Sequence, residues 1–157
     1  MKPSLISGTL FIAVAVLCAV NTGSAEQSAD PVIYKTDAEL MKALQEKIKA
    51  TPDQMVTSGI VTDSRYQANI VHRSKPAGAI SHPEGSEIHY IIEGSGTMVT
   101  GGTFNRTGKT VTIDGGVTRH VAKGDTVVIP AGTPHWYKDV DGSITYLEVR
   151  FNVGPKK

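Results

Sequence analysis

The chain has 157 residues, a formal charge of +1 and an aromatic content of 6%. A near-neutral balance with no Lys/Arg cluster interleaved with stacking aromatics argues against nucleic acid as a partner. Cys18 is the one cysteine and lies near the N-terminus, so beyond it the fold relies on packing, and any metal must be held by imidazole and carboxylate.

Lys2, the apolar run Thr9–Val20 and the small residues Gly23-Ser24-Ala25 form the pattern of an export signal cleaved after Ala25. The run falls short of the ~20 apolar residues that span a bilayer. The expectation is an exported protein, periplasmic or secreted, with no membrane attachment once residues 1–25 are removed. Residues 26–64 read as an N-terminal extension with one helix. Thr36 is the expected N-cap and Glu39, three residues on, completes a capping box. Leu40, Leu44 and Ile48 then recur at steps of four, and Thr51-Pro52-Asp53 ends the helix near Ala50.

From Arg65 the texture changes to short β-like runs between Gly, Pro and Asp breaks. The runs are Tyr66–His72, Ala79–His82, Glu87–Ile92, Thr97–Thr100, Val117–Val121, Thr126–Ile129, Trp136–Lys138 and Ile144–Phe151. Gly101 to Gly116 is a polar excursion in which Val111 and Ile113 alternate. Many short strands without a second helix predict an all-β domain over residues 65–153, an antiparallel sandwich or barrel, followed by a tail at 154–157.

Two segments stand out for chemistry. In "SHPEGSEIHYIIEG", Ser81 to Gly94, strand alternation puts Glu87, His89 and Ile91 on one face and Ile88, Tyr90 and Ile92 on the other. If the first face is the interior, an acid and an imidazole are buried together, and a divalent cation would offset that cost. If it is the solvent face, the isoleucines and Tyr90 form the core instead. In "KGDTVVIPAGTPHWYKDV", Lys123 to Val140, two prolines flank a glycine in a tight reversal that aims His135. That rigidity suits a ligand, although a histidine after a turn is often only a rim residue.

Together these segments resemble the cupin family. Gly124, Pro130, Gly132 and His135 match its second motif position for position, with Asp139 where Asn is usual. His82, Glu87 and Gly94 match the second histidine, the glutamate and the glycine of the first motif, while Ile80 stands where its first histidine belongs. The resemblance implies a jelly-roll-like cupin β-barrel with one N-terminal helix, and a metal held by His82, Glu87 and His135. His89, on the same strand face as Glu87, is the candidate replacement for the imidazole missing at Ile80. Three histidines and a carboxylate suit a divalent transition metal, Fe, Mn, Ni or Zn.

The function expected from the resemblance is metal-dependent chemistry on a small organic molecule, of dioxygenase, isomerase or lyase type. Tyr137, on the His135 face, and Glu84, in the turn, are the candidates for proton transfer. The alternatives are a non-catalytic barrel that binds a small ligand or metal, and a structural dimer whose site Ile80 has degraded. An outward face of Ile88, Tyr90 and Ile92 predicts a homodimer. His72 cannot be assigned a face, His120 is expected outside, and Trp136 is expected to pack away from the site.

Overall fold

The computed structural model describes residues 32–152, so the expected signal segment and the C-terminal tail lie outside the described residues. The fold is an antiparallel β-barrel of the cupin type preceded by one helix. Helix α1 spans Asp37–Ala50, and Thr36 caps it as expected. The Thr36 hydroxyl accepts from the Glu39 amide at 3.2 Å, while the Glu39 carboxylate accepts from the Thr36 amide at 2.8 Å. The capping box satisfies two donors that the first helical turn leaves without partners.

Eight strands follow: β1 (Val56–Thr62), β2 (Tyr66–Arg73), β3 (Ser86–Thr100), β4 (Thr103–Asn105), β5 (Thr112–Asp114), β6 (Val117–Ala122), β7 (Thr126–Ile129) and β8 (His135–Phe151). The main sheet runs β1-β2-β8-β3-β6, with β7 also on β3, and β4-β5 form a separate hairpin. The structure differs from the sequence expectations in four places. The sheet begins at Val56, ahead of Arg65, because β1 pairs with β2. The runs expected at 87–92 and 97–100 are one bent strand, β3, and those at 136–138 and 144–151 are one strand, β8. Gly94 and Gly96 lie at the bend, where β3 and β8 slip register. A Cβ at Gly94 would collide with the Ser143 carbonyl, which gives the motif glycine a packing reason. Ala79–His82 is not a strand; only Ile80 makes a bridge, to His135. The 101–116 excursion contains the β4-β5 hairpin, with Ile113 buried beside Ala79, Val99 and Trp136.

Alternation divides the apolar residues between two layers. Val71, Ile91, Tyr137, Ile144 and Tyr146 point into the barrel. Ile70, one residue from Val71, points the other way and packs beneath Leu44 of α1 with Val56. The helical stripe is thus covered by the sheet. Ile92, expected on an open outer face, also packs into this layer, whereas Tyr90 stays exposed. Trp136 packs outside the barrel, its indole N–H donating to the Ala77 carbonyl.

Candidate metal centre

Strand register assembles the site. On the inward face, Glu87 of β3 lies opposite Arg150 of β8, and Arg150 lies opposite Gln67 of β2. One row along, His89 faces Glu148, which faces Asn69; the next row is Ile91, Tyr146 and Val71. Polar rows therefore sit above an aromatic and aliphatic floor. Glu87 is 1% exposed and His89 2%, so the interior alternative for the Glu87 face is the one realised.

His135 enters from the turn that precedes β8. Gly132 has φ +77°, a conformation that side chains with a Cβ disfavour, and its amide donates to the His82 carbonyl at 2.7 Å. The Ile80–His135 bridge closes with two backbone hydrogen bonds of 2.8 and 3.0 Å. These contacts tie the segment carrying His82 to the start of β8 and bring both imidazoles over Glu87.

The proton positions follow from the partners. The His135 Nδ1–H donates to the Thr133 carbonyl at 3.0 Å, which leaves Nε2 as a bare lone pair. Burial lowers the His135 pKa below its ordinary value, so the ring is neutral at physiological pH. That Nε2 lies 3.8 Å from Oε2 of Glu87. His82 Nε2 is also an acceptor, because Arg150 Nη2, which can only donate, is 2.9 Å away. It lies 3.3 Å from Oε1 of Glu87. Burial pushes the Glu87 carboxyl up, but the hydrogen bond from His89 and the neighbouring imidazoles outweigh it and hold its pKa below the ordinary range. Two imidazole lone pairs and a carboxylate converge, with ligand atoms of all three residues within 4.8 Å of one another.

His89 has a different environment. Nε2 donates to Oε2 of Glu87 at 3.2 Å, and Nδ1 accepts from the Tyr137 hydroxyl at 3.2 Å. For Nε2 to bind a metal, the proton must move to Nδ1, where the Tyr137 oxygen can accept it. His89 groups with Glu87 and Glu148, not with His82 and His135. The four expected ligands thus form two overlapping groups that share Glu87.

The structure places the two proton-transfer candidates in different surroundings. Glu84 is exposed in its turn, on a shallow cleft lined by Tyr66 and Phe151, and is not brought to the cluster. Tyr137 is 3% exposed and stacks on Tyr146, on the far side of the His89 ring from Glu87. Burial raises its pKa, so it remains a neutral phenol that orients His89. His72 bonds Thr145, and the exposed His120 pairs with Asp141; neither joins the cluster. The residues missed in the sequence are Glu148 and Arg150. Their signal was the alternation of β8, which places Tyr146, Glu148 and Arg150 on one face.

The family model for cupins matches residues 77–147, which hold all three residues of the His82 group. That stretch resembles a cupin domain. No curated protein matches the chain in sequence. Among solved structures, a Bacillus halodurans protein superposes with TM-score 0.51 at 13% identity, over 80% of this chain and 86% of its own. A Thermus thermophilus protein gives 0.51 at 15% identity, over 77% and 98%. The iron(II) form of HppE gives 0.52 at 17% identity, over 64% and 53%. These likenesses concern the cupin fold alone.

Proposed function

We propose that this cupin-like barrel holds a divalent transition metal on His82, Glu87 and His135 and uses it in chemistry on a small organic molecule. The observation behind this reading is the pair of facing acceptors, His135 Nε2 and Glu87 Oε2, 3.8 Å apart with no proton between them. A cation removes that repulsion and satisfies both. The donor set, two neutral imidazoles and one carboxylate, fits Fe, Mn, Ni or Zn. When bound, such an ion supplies Lewis-acid polarisation of an oxygen on the substrate, or an open position for substrate or O2.

The chain's own groups have separate tasks. Thr133 fixes the tautomer of His135, and Tyr137 orients His89. Glu148 faces the adjoining cavity, held by the Asn69 amide at 3.1 Å, and is the carboxylate positioned to take up or return a proton. Export and a homodimer belong to the same proposal. The first is supported by the sequence pattern of residues 1–25, the second by exposed Tyr90, Val117 and Val128 on β3, β6 and β7.

Arg150 supports a second reading, a non-catalytic ligand-binding barrel. Its guanidinium touches His82 and Glu87, and so already neutralises part of the site. Metal content after dialysis against each ion, followed by turnover assays, separates the two. One equivalent of metal lost in His135→Ala supports the metal centre; wild-type protein that retains none leaves the binding barrel.

A further inference from the structure

Beside the cluster lies a cavity of about 260 Å³ whose walls include Asn69, Val71, Arg73, His82, Glu148 and Arg150. Arg73 is 7% exposed, and among the described residues no carboxylate lies within ion-pair distance of it. Its Nε donates to the Tyr146 hydroxyl at 2.9 Å, and its guanidinium lies over the Tyr137 ring at 5.2 Å. Neither neutralises the charge: the Tyr146 pKa is pushed up to about 12 by burial, so that phenol stays neutral. Nη1 of Arg73 is buried without any hydrogen-bond acceptor. A buried guanidinium with an unpaired donor and no counter-charge is costly, and a bound anion would offset that cost.

From this we infer that the cavity binds a small organic monoanion, a carboxylate seated on Arg73, with the rest of the molecule directed toward the metal cluster. The charges on the wall set the valence. Arg150 is already paired with Glu87 and Glu148, so among the described residues of the wall Arg73 is the cation left without a counter-charge, and it offers the ligand one positive charge. Glu148 in the same wall disfavours a dianion by like-charge repulsion. A planar carboxylate also matches the planar donor edge of a guanidinium. The inference deepens the proposed function by naming the substrate class, yet the Arg73 seat requires no metal.

The test is isothermal titration with butanoate and its neutral isostere butanamide, on chelator-treated and on Mn(II)-loaded protein. Butanoate is expected to bind both forms, at least about tenfold more tightly than butanamide, because the ionised oxygen makes the stronger hydrogen bond. Arg73→Gln is expected to lose about tenfold or more of butanoate affinity while Mn(II) affinity changes by less than about threefold. Should that variant not fold, Arg73→Lys keeps the charge without the fork and is expected to bind butanoate at least about threefold more weakly. Equal binding of acid and amide would overturn the inference. So would butanoate binding that needs Mn(II) and ignores Arg73, since the ion would then be the seat. Methyl phosphate binding more tightly than butanoate would overturn the carboxylate assignment. Butanoate bound through Arg73 in a protein that takes up no metal would leave this inference standing and remove the metal centre.

Discussion

Arg150 occupies the place where a cation's charge would act, and replacing it by methionine is expected to tighten metal binding. The guanidinium lies 2.9 Å from His82 Nε2 and 3.6 Å from Oε1 of Glu87, so an entering ion must displace both contacts. At an effective dielectric of ~20, two unit charges at that separation attract by about 5 kcal/mol. The Arg150 side chain is 28% exposed, and water screens part of this. A hydrogen bond from a charged group adds ~1.5–3 kcal/mol net. With screening, and with the displaced arginine still able to reach solvent, about 1.5–3 kcal/mol of metal affinity is recovered, or ~10–100-fold. Methionine keeps most of the aliphatic stem, so packing is disturbed little. Titration with Mn(II), reading the free ion by electron paramagnetic resonance at pH 7.5, measures the change. The metal-free variant should also melt below metal-free wild type, since Glu87 loses a counter-charge. Equal or weaker Mn(II) binding by Arg150→Met would refute the reasoning, because the arginine would then not compete with the ion.

Three further outcomes follow from the same geometry. His89→Ala should weaken metal binding by only ~10–100-fold, as an orienting neighbour does, whereas His135→Ala should abolish it in the same titration; equal losses would make His89 a ligand. Metal-free protein should lose stability as pH falls below 6.5, the ordinary imidazole value, because buried His135 has a lowered pKa and takes up its proton more readily once unfolded. His72, also lowered by burial, adds in the same sense, and thermal unfolding between pH 7.5 and 5.5 should show a decline that His135→Gln flattens. Glu87 acts in a lower window: its depressed pKa gives stability that is present above 4.5 and lost as pH falls through the folded value. Gly132→Ala, at φ +77°, should cost about 1–2 kcal/mol in denaturant unfolding from backbone strain alone, and wild-type stability would contradict the turn geometry.

The sequence was most informative where a local rule had a single solution. The Thr36–Glu39 box, the leucine stripe on α1 and the Pro130–Pro134 reversal each depend on neighbours in sequence, and each formed as read. Alternation also placed Glu87 and His89 together, but it could not say which face was inside; that came from α1 covering Ile70 and Ile92 from the other side. The strand β1 was missed because Ser58 and Gly59 dilute its apolar pattern, although Val56 and Ser58 are buried. β3 and β8 were read as broken at Gly94–Gly96 and Asp141-Gly142, where glycine serves a bend inside one strand and not a stop. Arg73, Glu148 and Arg150 were not legible as site residues, since their meaning comes from long-range register: Glu148 lies between His89 and Asn69 only once β8 sits between β3 and β2. Glu84 is close to the cluster in sequence, yet its side chain is exposed on a separate cleft.

The central claim is that His82, Glu87 and His135 share one metal ion. Anomalous diffraction from crystals grown with Mn(II), recorded on both sides of the manganese edge, tests it most directly. The account predicts a single peak bonded to His82 Nε2, His135 Nε2 and a Glu87 carboxylate oxygen, with Arg150 swung away from His82. No peak there at saturating Mn(II), with the guanidinium still on His82, would contradict it.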